Sequence, residues 1–352
     1  MSCHAYQVSM PAPFTRELKT PPIVNGVTFD FEPFEPPLWL SNAHLQTILP
    51  TVLVKHDPEY RRELVLDSYQ MSDVAYDFID TNEPKPEGNQ RYKTPLVVLF
   101  HGMEGSSANH YARTLATYVK QRGWHFVVGH FRSCGGVPVR EDVVYHAGDS
   151  QETHHTLQVL AERYETIYAV GVSLGGNLLA RYMADYGDDA VCEAAVVFSA
   201  PLDLASATTA MESLVGRRLY TPYLLNPMLS KVLSQELDLT ELNKITASER
   251  IQEFDEAFTA PRLGYRSPYD YYRQASAMPH LYKISKPTLI ITAKDDPFLG
   301  INATAGDVSP SVVLYEPAHG GHIGFVRWKD KRLDTNWVPE TALNFFETVA
   351  SA

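Results

Sequence analysis

A serine between two glycines is the first residue of the chain whose setting could support chemistry. Ser173 lies in Gly171-Val172-Ser173-Leu174-Gly175, which matches the pattern G-x-S-x-G. The apolar run before the motif predicts a strand, and the run after it predicts a helix. A serine at such a turn has a strained backbone, and the N-terminus of the following helix favours negative charge at its hydroxyl. The pattern predicts a nucleophile, and the alternative is a glycine-rich turn around a buried serine.

A serine nucleophile needs a base, and the base needs an acid that holds it in the right tautomer. The apolar run at residues 288–292 predicts a buried strand, and Asp295 and Asp296 follow it. Parallel strands place their active sites at this carboxyl edge of the sheet. We choose Asp296 as the acid because it lies farther out on the turn, directly before Pro297. Asp295 remains the alternative.

The base is expected on the loop after the next predicted strand, at residues 311–315. His319 and His322 both lie on this loop, separated by Gly320 and Gly321. The glycine pair allows a sharp turn that carries one imidazole back over the sheet edge. We choose His322 as the general base and regard His319 as the alternative. The histidine that is not the base is expected to have a structural role in the loop.

The negative charge that forms on the substrate during acyl transfer needs hydrogen-bond donors. The N–H of Leu174, directly after the nucleophile, is one candidate. The second is the N–H of Met103, which lies in His101-Gly102-Met103-Glu104-Gly105 after the apolar run at 95–101. Such a loop supplies the second oxyanion donor in enzymes of this type. The alternative is a tight strand-to-helix turn, which is compatible with the same role.

The elements that must position these residues alternate between strand and helix patterns. Short apolar runs predict buried strands, and runs with 3.6-residue spacing predict helices between them. Such alternation is typical of an α/β fold with a mostly parallel central sheet and helices on both faces. The predicted strands are 62–68, 72–80, 95–101, 124–131, 166–172, 192–199, 288–292 and 311–315, and the predicted helices are 109–122, 149–164, 174–186 and 340–349.

The alternation stops at residues 204–284, where the pattern is mostly helical. We predict that this stretch is a helical lid inserted into a core formed by residues 61–203 and 285–352. The nucleophile precedes the insertion, whereas the acid and the base follow it, so one core must carry all three. Residues 1–60, rich in proline and aromatic residues, are expected to form an irregular arm packed on that core.

Composition excludes several classes of protein. The chain has 352 residues, with 30 Lys and Arg against 42 Asp and Glu, and its net charge of −12 argues against nucleic-acid binding. Cys3, Cys134 and Cys192 are too widely spaced for a disulfide framework or a zinc site, and we expect neither a metal nor a cofactor. No apolar run approaches the roughly 20 residues of a transmembrane helix, and no signal peptide is evident. We therefore expect a cytoplasmic protein, whose oligomeric state the sequence does not indicate.

From about residue 62 to its end, the chain resembles the α/β-hydrolase superfamily. More narrowly, it is similar to the YheT-like branch, the AB hydrolase 4 family. The resemblance implies a catalytic triad of Ser173, Asp296 and His322. One departure is the sequence Ser-Cys-Gly-Gly after Arg132, where the family commonly has Gly-Cys-Ser-Gly. The matching segments are PPLWLSNAHLQTILP, LFHGMEGSS, HFRSCGG, GVSLGGN and the spaced residues from Asp255 to Asp296.

These observations predict a serine hydrolase that cleaves carboxylic esters through an acyl-enzyme, with neutral, apolar, short- to medium-chain esters as substrates. The alternatives are an acyltransferase, or a lipase or phospholipase, with the same triad. The absence of an H-x(4)-D motif weakly favours hydrolysis over acyl transfer. A catalytically silent binding protein is a third alternative, and we disfavour it because no part of the expected machinery is missing. The acyl-chain length and the alcohol half of the substrate are not readable from the sequence.

Overall fold

The computed structural model describes residues 23–24, 27–138 and 145–352. Apolar, mostly β-branched runs form strands buried on both faces, as a central parallel sheet requires. The strands are β1 (Ile23–Val24), β2 (Val27–Thr28), β3 (Arg61–Leu66), β4 (Asp73–Ile79), β5 (Leu96–Phe100), β6 (His125–Gly129), β7 (Ile167–Val172), β8 (Ala194–Phe198), β9 (Thr288–Ile291), β10 (Val312–Tyr315), β11 (Arg327–Lys329) and β12 (Arg332–Asp334).

Eight of these strands form one sheet in the order β10-β9-β8-β7-β5-β6-β4-β3. The pairs β3–β4 and β4–β6 are antiparallel, and every other pair in this sheet is parallel. The predicted α/β class with a mostly parallel sheet is confirmed. The hairpin of β11 and β12 was not predicted, because strands of three residues are too short for an alternating pattern to be recognised.

Several helices begin at a polar residue whose side chain accepts hydrogen bonds from the free N–H groups of the first turn. Asn42, Asp149 and Asp203 act in this way. The helices are α1 (Ala43–Leu53), α2 (His110–Gln121), α3 (Ser150–Ala161), α4 (Leu174–Tyr186), α5 (Leu204–Ala210), α6 (Thr221–Val232), α7 (Leu239–Thr246), α8 (Ile251–Phe254), α9 (Ala260–Arg262), α10 (Pro268–Ala275) and α11 (Trp337–Ala350), with 3₁₀ turns at Leu38–Leu40, Gly187–Asp189 and Met278–Lys283 and π turns at Gly216–Tyr220 and Asp255–Thr259. In the part of the chain described, no helix combines the length and apolar character needed to cross a membrane.

The sheet separates two hydrophobic layers. On one face α3 and α4 contribute Leu157, Leu160 and Leu178 to the core. On the other face α2 and α11 contribute Leu115 and Phe346. Burial of this kind stabilises the fold by about 25 cal/mol per Å² of apolar surface. The predicted helices on both faces are thereby confirmed.

A helical insertion lies between β8 and β9, and it contains α5 to α10. It has a small core of its own, formed by Leu225, Val232, Ile245, Phe254 and Phe258. The predicted helical insertion is confirmed. The exact division of the chain at residues 60, 203 and 284 stays a prediction.

The N-terminal arm differs from the prediction of irregular structure, because α1 forms within it. Gln46 of α1 is buried, and its side chain donates to the carbonyls of Leu40 and Val326 and accepts from the Val326 N–H. These contacts with distant parts of the chain stabilise a helix that contains Pro50, a residue that disfavours helix interiors. Residues 1–22 and 25–26 of the predicted arm lie outside the described residues.

Candidate active site

Ser173 lies at the junction of β7 and α4 in a conformation that few side chains adopt, with φ 53° and ψ −121°. The flanking glycines make this turn possible. A Cβ at Gly171 would lie 2.5 Å from the Gly175 carbonyl oxygen, and a Cβ at Gly175 would lie 2.3 Å from that of Phe100. The backbone is therefore packed too closely at both positions for any other residue, as a nucleophile elbow requires.

Replacement of Gly175 with alanine is expected to lower the free energy of unfolding by about 2–4 kcal/mol, because the new methyl group would meet backbone rather than movable side chains. Denaturant unfolding followed by circular dichroism measures the change. Gly306→Ala is the control, since the nearest atom to a Cβ there is Thr304 Oγ1 at 3.7 Å. Equal stability of the two variants would contradict the close packing of the elbow.

Ser173, His322 and Asp296 form a continuous hydrogen-bonded chain. Ser173 Oγ lies 3.0 Å from His322 Nε2, and His322 Nδ1 lies 2.9 Å from Asp296 Oδ2. Both the imidazole and the carboxylate are buried. An Nδ1–H that donates to the carboxylate leaves Nε2 free to accept the serine proton, which is the tautomer that a general base needs.

Neighbouring groups hold this chain in place. The ring of Phe298 stacks on the His322 ring at 4.0 Å, with 13° between their planes. The Phe298 N–H donates to Asp296 Oδ1 at 2.9 Å. Burial raises the pKa of Asp296 above its ordinary value, while its hydrogen bonds with His322, Phe298 and Ser199 act in the opposite direction. Phe298 was not predicted as part of the site, although it lies only two residues after the predicted acid.

The alternative acid and the alternative base contact each other. His319 Nδ1 lies 3.1 Å from Asp295 Oδ2, and the Gly321 N–H donates to Asp295 Oδ1 at 3.0 Å. His319 is partly exposed, whereas His322 is buried. The structure thus brings Asp296 and His322 to the serine, and it places Asp295 and His319 together on the outer side of the glycine loop.

The loop after β5 lies beside the serine, and its first histidine has a fixed tautomer. His101 Nδ1–H donates to the Gly102 carbonyl at 2.7 Å, while Nε2 accepts from the Phe131 N–H at 3.1 Å. Burial lowers the pKa of His101 to about 3, so the ring stays neutral. Its two hydrogen bonds connect the loop after β5 to Phe131.

The two predicted oxyanion donors, Met103 and Leu174, line the same cavity as Ser173. Within the described residues, neither the Met103 N–H nor the Leu174 N–H donates a hydrogen bond to a backbone carbonyl. That these two N–H groups stabilise a substrate oxyanion stays a prediction.

A cavity of about 430 Å³ extends from Ser173 into the insertion. Its lining is largely apolar, as is typical of sites for small organic molecules. Helices α1, α5 and α6 all contribute residues to its wall. The insertion lines the cavity with Leu204, Met211, Tyr223, Leu224, Phe254 and Phe258.

An ion pair within this lining, between Lys231 and Glu104, was not predicted from the sequence. Lys231 Nζ of α6 lies 2.6 Å from Glu104 Oε2, and the Tyr145 hydroxyl donates to Glu104 Oε1 at 2.7 Å. Lys231 also lies 3.3 Å from Cys134 Sγ, and burial raises the pKa of that thiol to about 12. The pair joins the insertion to the loop that carries Met103. The one sequence feature that pointed to this pair is the position of Glu104 in the His-Gly-x-x-Gly loop.

A second acid in the cavity wall, Asp255, is buried and hydrogen-bonded to the Tyr272 hydroxyl at 2.7 Å. Burial raises its pKa to about 6, although its hydrogen bonds to Tyr272 and Thr259 oppose the shift. Because the pKa is higher in the folded state than in the unfolded chain, Asp255 favours the folded state below about pH 4. This contribution is lost as the pH rises through about 6.

Replacement of Asp255 with asparagine should remove this pH dependence. From pH 4 to pH 6 we expect the free energy of unfolding of the wild type to fall relative to the variant by roughly 2 kcal/mol, which is most of the effect of the whole pKa shift at about 1.4 kcal/mol per pKa unit. Urea unfolding at several pH values measures the difference, and groups common to both proteins cancel. A difference that stays constant over this range would contradict the raised pKa.

Several known proteins are similar in sequence to this chain. The candidate esterase YheT of Escherichia coli (strain K12) is 38% identical over 308 residues, which cover 83% of this chain and 87% of that protein. The phospholipase ABHD3 of Mus musculus is 27% identical, with 84% of this chain and 74% of that protein covered. The monoacylglycerol lipase of Saccharomyces cerevisiae (strain ATCC 204508 / S288c) is 25% identical, with 77% of this chain and 63% of that protein covered.

Solved structures show the same fold at low sequence identity. The esterase Pf2001 of Pyrococcus furiosus superposes with a TM-score of 0.53 and 15% identity, over 92% of this chain and 99% of that one. The family described as alpha/beta hydrolase fold matches residues 95–327, more than half of the chain. Together with the identity to YheT, this match shows that the chain belongs to the α/β-hydrolase family, within its YheT-like branch.

Proposed function

We propose that this α/β hydrolase of the esterase and lipase type is a serine esterase that cleaves carboxylic esters through an acyl-enzyme. The observation that carries the proposal is the hydrogen-bonded chain from Ser173 through His322 to Asp296, which lies at one end of an apolar cavity. A serine, a histidine and a carboxylate in this arrangement are recognised by geometry rather than by position in the sequence.

In the first half of the proposed reaction, Ser173 Oγ attacks the ester carbonyl carbon while its proton moves to His322 Nε2. The Met103 and Leu174 N–H groups stabilise the oxyanion, and Asp296 stabilises the imidazolium. The bond from carbon to the alcohol oxygen then breaks, and His322 returns the proton to the leaving alcohol. The products of this half are the free alcohol and the acyl group on Ser173.

In the second half, a water molecule takes the place of the alcohol. His322 Nε2 accepts one proton from the water as its oxygen attacks the acyl carbon, and the oxyanion occupies the same two N–H groups. Collapse of this intermediate returns the proton to Ser173 Oγ and releases the carboxylic acid. The proposed cycle needs no metal and no cofactor.

The cavity supports neutral, apolar esters of short to medium chain length as substrates, because most of its lining is apolar and its cationic Lys231 is already paired with Glu104. We expect kcat/KM for p-nitrophenyl esters to rise from acetate to octanoate and to fall for palmitate. A spectrophotometric assay of p-nitrophenol release measures the series. A profile in which acetate is the best substrate would contradict an acyl chain seated in this cavity.

A lipase or phospholipase activity with the same triad is the second candidate, because two relatives carry those names. Monoacylglycerol and phosphatidylcholine, offered separately with release of fatty acid as the readout, distinguish the two substrates. Acyl transfer differs only in the molecule that attacks the acyl-enzyme. It would show as a new ester when glycerol is added to the assay. We also propose that the protein is cytoplasmic and that its substrate is a small-molecule ester rather than a macromolecule.

A further inference from the structure

An exposed apolar surface borders the opening of the cavity. We name it the mouth surface and define it by its residues on α1 and on the insertion: Leu45, Ile48, Val52, Leu219 and Tyr223. All five are exposed, and the exposed fractions of Leu45 and Val52 are 47% and 66%. Contiguous exposed apolar side chains are uncommon in proteins that remain free in water, and they mark sites of interaction.

The mouth surface follows from the sequence of α1. Leu45, Ile48 and Val52 are three and seven residues apart, so they form one stripe along the helix. Gln46 and Pro50, on another side of the helix, are buried. From residue 36 to residue 54 the chain has no Asp, Glu, Lys or Arg, although 20% of its residues are charged. The helix therefore presents an apolar stripe without a charge.

This stripe is continuous with the catalytic cavity. Ile48 of α1 and Leu219 and Tyr223 of the insertion line the cavity that contains Ser173. His44 Nδ1 lies 2.7 Å from the Tyr220 hydroxyl, so α1 and the insertion are in direct contact beside the opening. A molecule that covers the mouth surface also meets the entrance to the active site.

We infer that the mouth surface binds an uncharged lipid interface, such as the surface of a zwitterionic phospholipid bilayer, from which ester substrates enter the cavity. This inference deepens the proposed function and rests on it. A lipid surface suits the site because its acyl chains can pass directly from the interface into the apolar cavity. A second copy of the chain in the same position would cover the opening.

Charge favours a neutral interface over an anionic one. The chain has a net charge of −12, and the stripe on α1 offers no cation to an anionic headgroup. Arg217 and Arg218 precede Leu219, but Arg217 lies 4.0 Å from Glu212. Binding driven by apolar burial should be insensitive to salt, whereas binding driven by charge would weaken as salt rises.

The test uses the Ser173→Ala variant of the 352-residue chain, so that no lipid is consumed, and vesicles of pure phosphatidylcholine. We expect it to cosediment with the vesicles to the same extent at low and at high salt. The double substitution Leu45→Ser/Val52→Ser should weaken this partitioning roughly tenfold or more, because two apolar side chains no longer enter the interface. Leu64→Ser/Leu239→Ser is the matched control, with side chains 58% and 77% exposed on β3 and α7, and it should bind like its parent.

Hydrolysis of dissolved p-nitrophenyl butyrate, measured with Ser173 present, separates this inference from the proposed function. The Leu45→Ser/Val52→Ser protein should retain the activity of the wild type on this ester, which also shows that it is folded. An active enzyme that does not cosediment with phosphatidylcholine vesicles would overturn the inference and leave the proposed function intact. So would binding confined to anionic vesicles at low salt, or a dimer in sedimentation that the double substitution dissociates. Vesicle binding by a protein without esterase activity would instead overturn the proposed function.

Discussion

Replacement of Ser173 with alanine is expected to lower kcat for p-nitrophenyl butyrate by about 10⁴-fold or more, because the variant cannot form the acyl-enzyme. Ser173 contributes a hydroxyl 3.0 Å from His322 Nε2, and removal of one oxygen atom leaves the elbow glycines and the cavity lining in place. The melting temperature should therefore stay within a few degrees of the wild type, and it should be measured beside the activity.

Residues that act as a unit show losses that do not add. His322→Ala should reduce kcat about as far as Ser173→Ala, and the double variant should be no slower than either one. Undiminished activity in Ser173→Ala would exclude the proposed nucleophile. Losses that multiplied in the double variant would mean that the serine and the histidine act in separate steps.

Replacement of Asp296 with asparagine should also lower kcat by roughly 10⁴-fold, because an amide beside His322 favours the wrong tautomer of the imidazole. Asp296 and asparagine have nearly the same shape, so the packing of Phe298 against the histidine should survive. Steady-state kinetics with p-nitrophenyl butyrate measures the loss, and the effect should appear in kcat more than in KM.

Asp295→Asn is the matched control, since it makes the same chemical change one residue away. Its carboxylate contacts His319 and the Gly321 N–H rather than His322, so we expect a loss of less than about tenfold. A severe loss of kcat in Asp295→Asn together with a mild loss in Asp296→Asn would show that Asp295, and not Asp296, is the triad acid.

Much of the fold was predictable because its central strands are buried on both faces. Runs such as those of β5 and β8 are continuously apolar, and the helical segments between them have a clear 3.6-residue spacing. The sharp strand-to-helix turn at Ser173 also has a local cause, since Gly171 and Gly175 are the only residue type that the packed backbone admits. Local rules were sufficient for these elements.

Other features depend on contacts between distant parts of the chain, which local rules do not see. Helix α1 contains Pro50 and is stabilised by hydrogen bonds between Gln46 and Val326. The ion pair of Glu104 with Lys231 joins the loop after β5 to the insertion. Propensity and periodicity carry no information about such pairs, so neither the helix nor the charged group in the cavity could be predicted.

The neighbouring acids show the same limit at the scale of one residue. Both Asp295 and Asp296 follow β9, and the sequence pattern places both at the correct edge of the sheet. Which carboxylate faces His322 depends on the local turn, where Asp296 also accepts the Phe298 N–H. The order of preference between the two acids could be argued from sequence, but their separate partners could not.

The proposed nucleophile is tested most directly by covalent labelling with a fluorophosphonate, followed by peptide mass spectrometry. We predict one adduct, on the peptide that contains Ser173, with fragment ions that place it on the Ser173 side chain. Labelling should be slowed strongly in His322→Ala and should be absent in Ser173→Ala. An adduct on another serine, or a folded wild-type protein that remains unlabelled at excess reagent, would contradict the proposed serine-esterase mechanism.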